Sequence, residues 1–350
     1  MREPGQPNPN YAGRVAFVWA IGGLGLAHAQ TVPPPAVPSS PALSAPAGHA
    51  ERSVSEWLMR MHEASRRRSY TGTFVVLSDS GSMSSARIWH ACDGGQQIEH
   101  VESLTGAPRS IFRRNDEVVT FLPDRHVVRS EKREALGMFP NLLRGGDSSI
   151  PQFYAARRLG SERVAGFDAD VVELAPKDNL RFGYRIWSEK KSGLAIKLQT
   201  LNAHGAVLEQ VAFSELQLDA PVRAEKLNRM MSSTEGWRVE KPDAVKTSPD
   251  AEGWQLRSPV AGFRPVSCYK RPGAAAAPRG TMQWVFSDGL AAVSLFVEPY
   301  ERQRHRQVGL SASGATQTLT RRIQDWWLTA VGEVPQQTLE AFAQSLERRK

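Results

Sequence analysis

The chain has 350 residues, 41% of them hydrophobic and 23% charged, with 44 Lys and Arg against 36 Asp and Glu and a net charge of +8. That composition is globular, and the sign of its field suits acidic polypeptide, anionic lipid headgroups or nucleic acid. Two cysteines, Cys92 and Cys268, are too few for a disulfide scaffold and leave open either one bridge or two small buried thiols.

Arg14, the apolar run from Val15, and the small-residue pattern Ala27-His28-Ala29 follow one another in the order of a secretory signal, which predicts a leader over 1–29 and a mature start at Gln30. Val15 to Ala27 is too short and glycine-rich for the roughly 20 apolar residues of a spanning helix, and no second run of that length follows. Loss of Arg2, Arg14 and Glu3 with the leader removes one net positive charge, from +8 to about +7. An exported chain rarely meets nucleic acid, so acidic protein segments or phosphorylated lipids are the expected partners. Residues 30–51 are rich in proline and lack an apolar period, reading as a disordered tether, so folding is expected from Arg52.

About 300 folded residues imply two domains. The polar, proline-bearing stretch 219–250 reads as the linker between an N-terminal domain, 52–218, and a C-terminal domain, 251–350. Ser53 and Glu56 have capping-box spacing, Val54, Trp57, Leu58 and Met61 form a helical stripe, and Arg66, Arg67 and Arg68 suit a helix C-terminus. Strands are predicted at "YTGTFVVLS", "SARIWHAC", "QQIEHVES", "SIFRR", "EVVTFLP" and "HVVRSEKR". Helical segments are expected at "EALGMFPNLLRGG" and "SIPQFYAARRL", then strands at "FDADVVELAP", "FGYRIWSE", "GLAIKLQTLN" and "VLEQVAFSELQL". This order predicts an α+β fold with one large curved antiparallel sheet and helices against one face.

Chemistry is sparse. His90, Cys92, Asp93 and His100 lie close in sequence, but His90 and Cys92 have strand spacing and no metal-ligand motif accompanies them. "GLSASG" at Gly309 lacks the nucleophile-elbow pattern and reads as a loop. In the C-terminal domain, Trp284 and Phe286 on one strand and Val293, Leu295 and Val297 on the next flank the turn Ser287-Asp288-Gly289, a hairpin. "IQDWWLTAVG" reads as a further strand, and Pro335 starts a helix with Leu339, Phe342 and Leu346 as its stripe. Glu333 then sits at a strand–helix junction, where the helix dipole favours a carboxylate.

The stretches "FSDGLAAVSLFVEPYE" and "WWLTAVGEVPQQTLEAFAQSLE" closely resemble the C-terminal hallmark of the RseB/MucB family, above all at Ser287-Asp288-Gly289-Leu290 and Val331-Gly332-Glu333-Val334-Pro335. The resemblance spans about Ser53 to Glu347. It implies a periplasmic, non-enzymatic protein without a cofactor that binds the periplasmic part of a membrane anti-sigma factor. It also implies shielding of that factor from the first protease of the envelope-stress cascade, relieved by lipopolysaccharide or related lipid. The implied N-terminal domain is a half-barrel like those of lipoprotein carriers, with helices over its concave face, and the C-terminal domain is a smaller sheet with a helix. A concave apolar face is either a pocket for lipid chains or a filled core. Trp57, Phe74, Trp89, Phe121, Phe139 and Leu142 are the candidates to line it. Arg302, Arg304, Arg306, Arg321 and Arg322 are the candidates to meet the partner, against the alternative of a solvated basic face. A homo-oligomer stays open, as does a carrier of lipid or lipoprotein. The carrier would leave the second domain without a purpose, and a hydrolase would need a nucleophile beside a base.

Overall fold

A computed structural model describes residues 52–93, 96–132, 139, 149–241, 244–271 and 280–349. The leader and the tether fall outside these residues, as does the predicted helical stretch 134–146 apart from Phe139. The capping box forms as read: the Glu56 N–H donates to Ser53 Oγ at 3.2 Å, and the Ser53 N–H donates to the Glu56 carboxylate at 2.6 Å. Helix α1 (Val54–Arg67) follows and buries Val54, Trp57, Leu58 and Met61.

Strands β1 (Tyr70–Ser78), β2 (Met83–Asp93), β3 (Gln96–Ser103), β4 (Ser110–Arg114), β5 (Glu117–Leu122) and β6 (Val127–Lys132) form an antiparallel meander. The helix expected from Ser149 to Leu159 lasts one turn, α2 (Ile150–Phe153). From Tyr154 the chain becomes β7 (Tyr154–Val164), because pairing along the whole of its neighbour outweighs local helix propensity. Strands β8 (Phe167–Pro176), β9 (Gly183–Glu189), β10 (Ala195–Leu201) and β11 (Val207–Leu218) complete a second meander. Pairing of β1 with β11 fuses the two into one open sheet, whose far edge on the second meander is β7.

The stretch read as a linker is structured. Leu227 and Met231, spaced i and i+4, bury one face of α3 (Ala224–Ser232). Strand β12 (Arg238–Glu240) pairs parallel with β6, making the sheet 12-stranded, and β13 (Val245–Lys246) belongs to the second sheet. Only two of its nine residues are buried, and the helix lies in a polar, proline-bearing stretch that hides so short a stripe.

The C-terminal unit contains β14 (Trp254–Leu256), β15 (Arg264–Arg271), β16 (Thr281–Ser287), β17 (Ala292–Pro299), β18 (Gly309–Ser313), β19 (Thr316–Ile323), β20 (Trp326–Gly332), α4 (Gln336–Ser345) and β21 (Leu346–Arg348). Its sheet has the order β13-β15-β16-β17-β20-β19-β18, while β14 and β21 form a separate pair. The predicted hairpin is present as β16 and β17. Three readings change. "GLSASG" is the edge strand β18, paired without a bulge to β19 rather than looped. The stretch from Ile323 to Gly332 is broken at Gln324, whose φ of 53° turns the chain between β19 and β20. Leu346 leaves the helix for β21 yet stays in the core with Leu339 and Phe342.

The 12-stranded sheet is covered on both faces. Helix α1 packs with Val172, Leu174, Ile186 and Tyr184 on one face, contiguous with Phe74, Val211 and Phe213. Helix α3 packs with Ile98, Phe112, Val119, Phe121 and Val128 on the other, so the helices are not confined to one face. Cys92 in β2 and Cys268 in β15 are free thiols in separate sheets.

Candidate functional site

The two sheets meet at a buried polar joint. The loop after β8 is bent by Asp178, whose Oδ1 accepts from the Leu180 N–H at 3.0 Å. Arg181 leaves this loop and enters the C-terminal unit. Its Nε donates to Asp288 Oδ2 at 2.7 Å, its Nη1 to Asp178 Oδ2 at 2.5 Å, and its Nη2 to the Ala261 carbonyl at 2.8 Å. Neither the Arg181 nor the Asp288 side chain reaches solvent. The guanidinium lies 4.2 Å from the Phe153 ring centre and 4.9 Å from that of Phe263. Gly262 is needed beside it: its φ is +80°, and a Cβ there would stand 2.0 Å from Arg181 Nη2.

Asp288 divides its two oxygens. Oδ1 accepts from the Leu290 and Ala291 N–H groups at 2.9 and 2.7 Å, shaping the β16–β17 turn. Oδ2 takes Arg181 and the Tyr154 hydroxyl, the latter at 3.2 Å. Burial pushes the Asp288 carboxyl up, against the lowering pull of those amides and of Arg181. Further ties run beside it. Thr338 Oγ1 donates to the Leu180 carbonyl at 2.8 Å and the Gln337 amide donates to the Asn179 carbonyl, while at the far end of β15 Arg271 lies 3.6 Å from Glu131 of β6 as a separate tie. Leu180 packs on the C-terminal core and Leu290 on the core beneath α1.

Glu333 stands in the same region. At the start of α4 the dipole alone would hold its carboxyl low, but desolvation dominates and lifts it to about 7. Glu209 on β11 is lifted to about 8, first by desolvation and then by the charge of Glu333, although it accepts a hydrogen bond from the Ala315 N–H. The β18–β19 turn is seated here: a Cβ on Gly314 would stand 2.5 Å from Glu209 Oε2 and 3.3 Å from Ser78 Cβ. The junction carboxylate is thus one half of an acidic pair across the two sheets.

The candidate lining residues do not form one surface. Trp57, Phe74 and Phe139 lie on the α1 face, with Phe74 and Phe139 rings 6.2 Å apart and Phe139 5.2 Å from Phe213. Trp89 and Phe121 lie on the α3 face, because strand alternation carries the row Trp89, His100, Phe112 and Val119 opposite to Ile88 and Val101. Trp89 stacks on His100 at 4.8 Å, and Phe121 meets Trp237 edge-on at 5.3 Å. Leu142 lies outside the described residues. Phe213 was missed, and its only signal is its register opposite Phe74. The two histidines also part company. His90 stacks on Tyr70 at 4.7 Å, while His100 lies between Trp89 and Phe112 with its pKa lowered by burial to about 4.

The five arginines form no uniform patch. Arg304 is held by Glu298 and Glu301, both at 3.2 Å. Arg321 donates to the Ala343 carbonyl at the end of α4, at 3.3 Å. Arg322 donates to the Gln324 carbonyl and lies 4.0 Å from the Tyr300 ring centre. Arg306 donates to the Gln303 carbonyl, and Arg302 is exposed. His305 is buried between Glu298, at 3.1 Å, and the face of Trp327, at 4.9 Å. The region holds apolar faces, scattered cations and a buried joint, and there is no group of three or more metal-ligating side chains among the described residues.

Comparison with known proteins bears on both sheets. The family model described as the MucB/RseB N-terminal domain matches residues 53–231, and that of the MucB/RseB C-terminal domain matches residues 248–347. The chain is similar to the sigma factor AlgU regulatory protein MucB of Pseudomonas aeruginosa, 29% identical over 303 residues covering 84% of this chain and 90% of that one. It is 21% identical over 291 residues to the sigma-E factor regulatory protein RseB of Escherichia coli K12, covering 83% and 89%. Among solved structures, MucB in complex with MucA(peri) superposes with a TM-score of 0.64 at 27% identity, over 85% of this chain and 99% of that one. The Pseudomonas aeruginosa MucA/MucB complex gives 0.65 at 27% identity, with the same coverage.

Proposed function

The chain belongs to the MucB/RseB family, one of regulatory binding proteins rather than enzymes, and we propose that it binds the periplasmic region of a membrane anti-sigma factor. By covering that region it protects the anti-sigma factor from regulated proteolysis and so keeps an envelope-stress sigma factor inactive. Lipopolysaccharide or another lipid promotes release. The protein works in the periplasm after its leader is cleaved, and no described helix is long and apolar enough to cross a membrane.

The observation that carries this reading is the joint. Arg181 and Asp288 form a fully buried pair between the sheets; Asp288 belongs to the stretch Ser287–Leu290, and Glu333 of Val331–Pro335 acts together with Asp288 on the buried Tyr184 hydroxyl. A lipid carrier acting through the first sheet alone would have no use for such a tie. Joined units allow a ligand on one sheet to alter the affinity of the other for a protein, since coupling needs two states that both sites distinguish. The apolar face under α1, with Trp57, Phe74 and Phe139, is the place for an acyl chain, and Arg302, Arg304, Arg306, Arg321 and Arg322 contribute the basic side toward the partner. Burial of each methylene contributes about 0.8 kcal/mol. About seven of them match the roughly 5.5 kcal/mol that inverts a 1:99 equilibrium.

The test is capture of the periplasmic region of a membrane anti-sigma factor from the same organism, followed by exposure to the protease that first cleaves it, with and without lipopolysaccharide. Binding, slowed cleavage, and lipid-dependent loss of both support the reading. Capture that ignores lipid removes the release step, and absence of capture removes the proposal.

A further inference from the structure

The seven-stranded sheet treats its two edges differently. On one side β15 is covered by β13, with Val245 opposite Lys270 and Lys246 opposite Tyr269. On the other, β18 ends the sheet, and every residue from Gly309 to Ser313 is exposed. Edge strands are commonly protected by proline, charge or a bulge. "GLSAS" has no proline and no charge, and its register with β19 is unbroken.

An apolar row also stops at this edge unfinished. Cys268, Trp284, Leu295, Ala330 and Leu319 are successive register partners across five strands, and all are buried. Leu310 continues the row opposite Leu319 and is 41% exposed, with Val308 beside it at 67%. A further strand with an apolar side chain at that register would close the row. The cations around it lack carboxylate partners among the described residues: Arg306 precedes the strand and donates only to the Gln303 carbonyl, Arg302 is exposed, and Arg321 reaches only the Ala343 carbonyl. Arg321 shares a face with Leu319, two residues along β19, which places its charge next to the same row.

We infer that β18 is a docking edge for an extended acidic segment of a protein partner, which adds as an eighth strand with an apolar residue over Leu310 and a carboxylate toward Arg321. This names the surface used in the function proposed above and rests on that reading. Backbone pairing along an exposed edge supplies affinity, while alternate side chains supply specificity. The chain's own tether is a poor occupant, since from Pro33 to Pro46 no five consecutive residues are free of proline, which cannot donate to a ladder. A second mature copy would bring a like-charged body of about +7 against the same arginines.

The experiment uses the full mature chain and, as probe, the periplasmic region of a membrane anti-sigma factor from the same organism. Hydrogen exchange should slow about tenfold or more at the amides of 308–313 when the probe binds, as a new ladder requires. Leu310→Asp should weaken binding about tenfold or more, the loss typical of an anchor at an interface centre. Leu310→Val should bind within about twofold of the parent, because a β-branched residue keeps the row apolar. Probe binding with unchanged exchange at 308–313 overturns the edge and leaves the proposed function standing. Failure of the parent chain to bind removes both. Protection of 308–313 that rises with protein concentration alone gives the edge to a second copy and overturns the acidic occupant.

Discussion

Asp288→Asn isolates the charge at the joint. The substitution keeps the side-chain size and one oxygen for the Leu290 and Ala291 amides, but it turns an NH2 toward Arg181 Nε, which now donates to Asp288 Oδ2 from 2.7 Å. Removing one partner of a buried ion pair typically costs about 3–5 kcal/mol, because the other charge stays desolvated. Arg181 retains Asp178 at 2.5 Å and the Ala261 carbonyl at 2.8 Å, which sets the expected loss near the lower end, about 3 kcal/mol. In units of this size each kcal/mol moves the melting point by about 2–4 °C, so Tm should fall by roughly 6–12 °C. Scanning calorimetry reads that shift and also whether one transition splits in two as the sheets part. Arg181→Met combined with Asp288→Asn should cost clearly less than the two single losses added together, since no lone charge remains buried. A single variant melting within about 2 °C of the parent, or a double variant whose losses simply add, would refute a charge pair as the tie.

The acidic pair gives a pH dependence of defined sign. Glu333 and Glu209 keep their protons to about 7 and about 8 in the folded chain, above the ordinary value of 4.5, so their contribution is complete below that value and is lost as pH rises through about 8. Thermal melts between pH 5 and pH 9 should decline for the parent and flatten for Glu333→Gln. Gly332 has no positive φ, but a Cβ there would meet the Ala292 carbonyl at 2.6 Å, so Gly332→Val should destabilise the C-terminal unit by about 1–3 kcal/mol in urea titration. Arg302→Ser with Arg306→Ser should weaken capture of the anti-sigma region and flatten its salt dependence, whereas Arg304→Ser, which loses internal ion pairs with Glu298 and Glu301, should act mainly on stability. N-terminal sequencing of the protein recovered from the cell envelope should begin at Gln30.

Legibility in the sequence followed the range of the interactions involved. The α1 capping box, the register-length strands and the β16–β17 hairpin are local, and composition and period-two alternation were enough to find them. Strand β18 was hidden because its five residues are small apart from Leu310, so their short alternation is outweighed by the loop signal of flanking glycines and two serines. Helix α3 was invisible because only Leu227 and Met231 are buried. The candidate lining was misjudged for a different reason. Aromatic spacing shows that a side chain faces inward, but in a sheet covered on both faces inward has two directions, and only parity along each strand separates Trp89 from Ile88. Arg181 and Asp288 lie 107 residues apart, and nothing local in either segment points to the other.

The strand and helix within 219–250 determine where this protein can be cut. A fragment ending at Leu218 would strip α3 from Phe112, Val119 and Phe121 and leave the backbone of β6 bare where β12 now pairs with it. Apolar surface beside an open strand is a recipe for aggregation, so such a fragment would precipitate for reasons unrelated to what the intact protein binds. A cut after Glu240 keeps both covers in place, and dissection of the two units is meaningful only from that position.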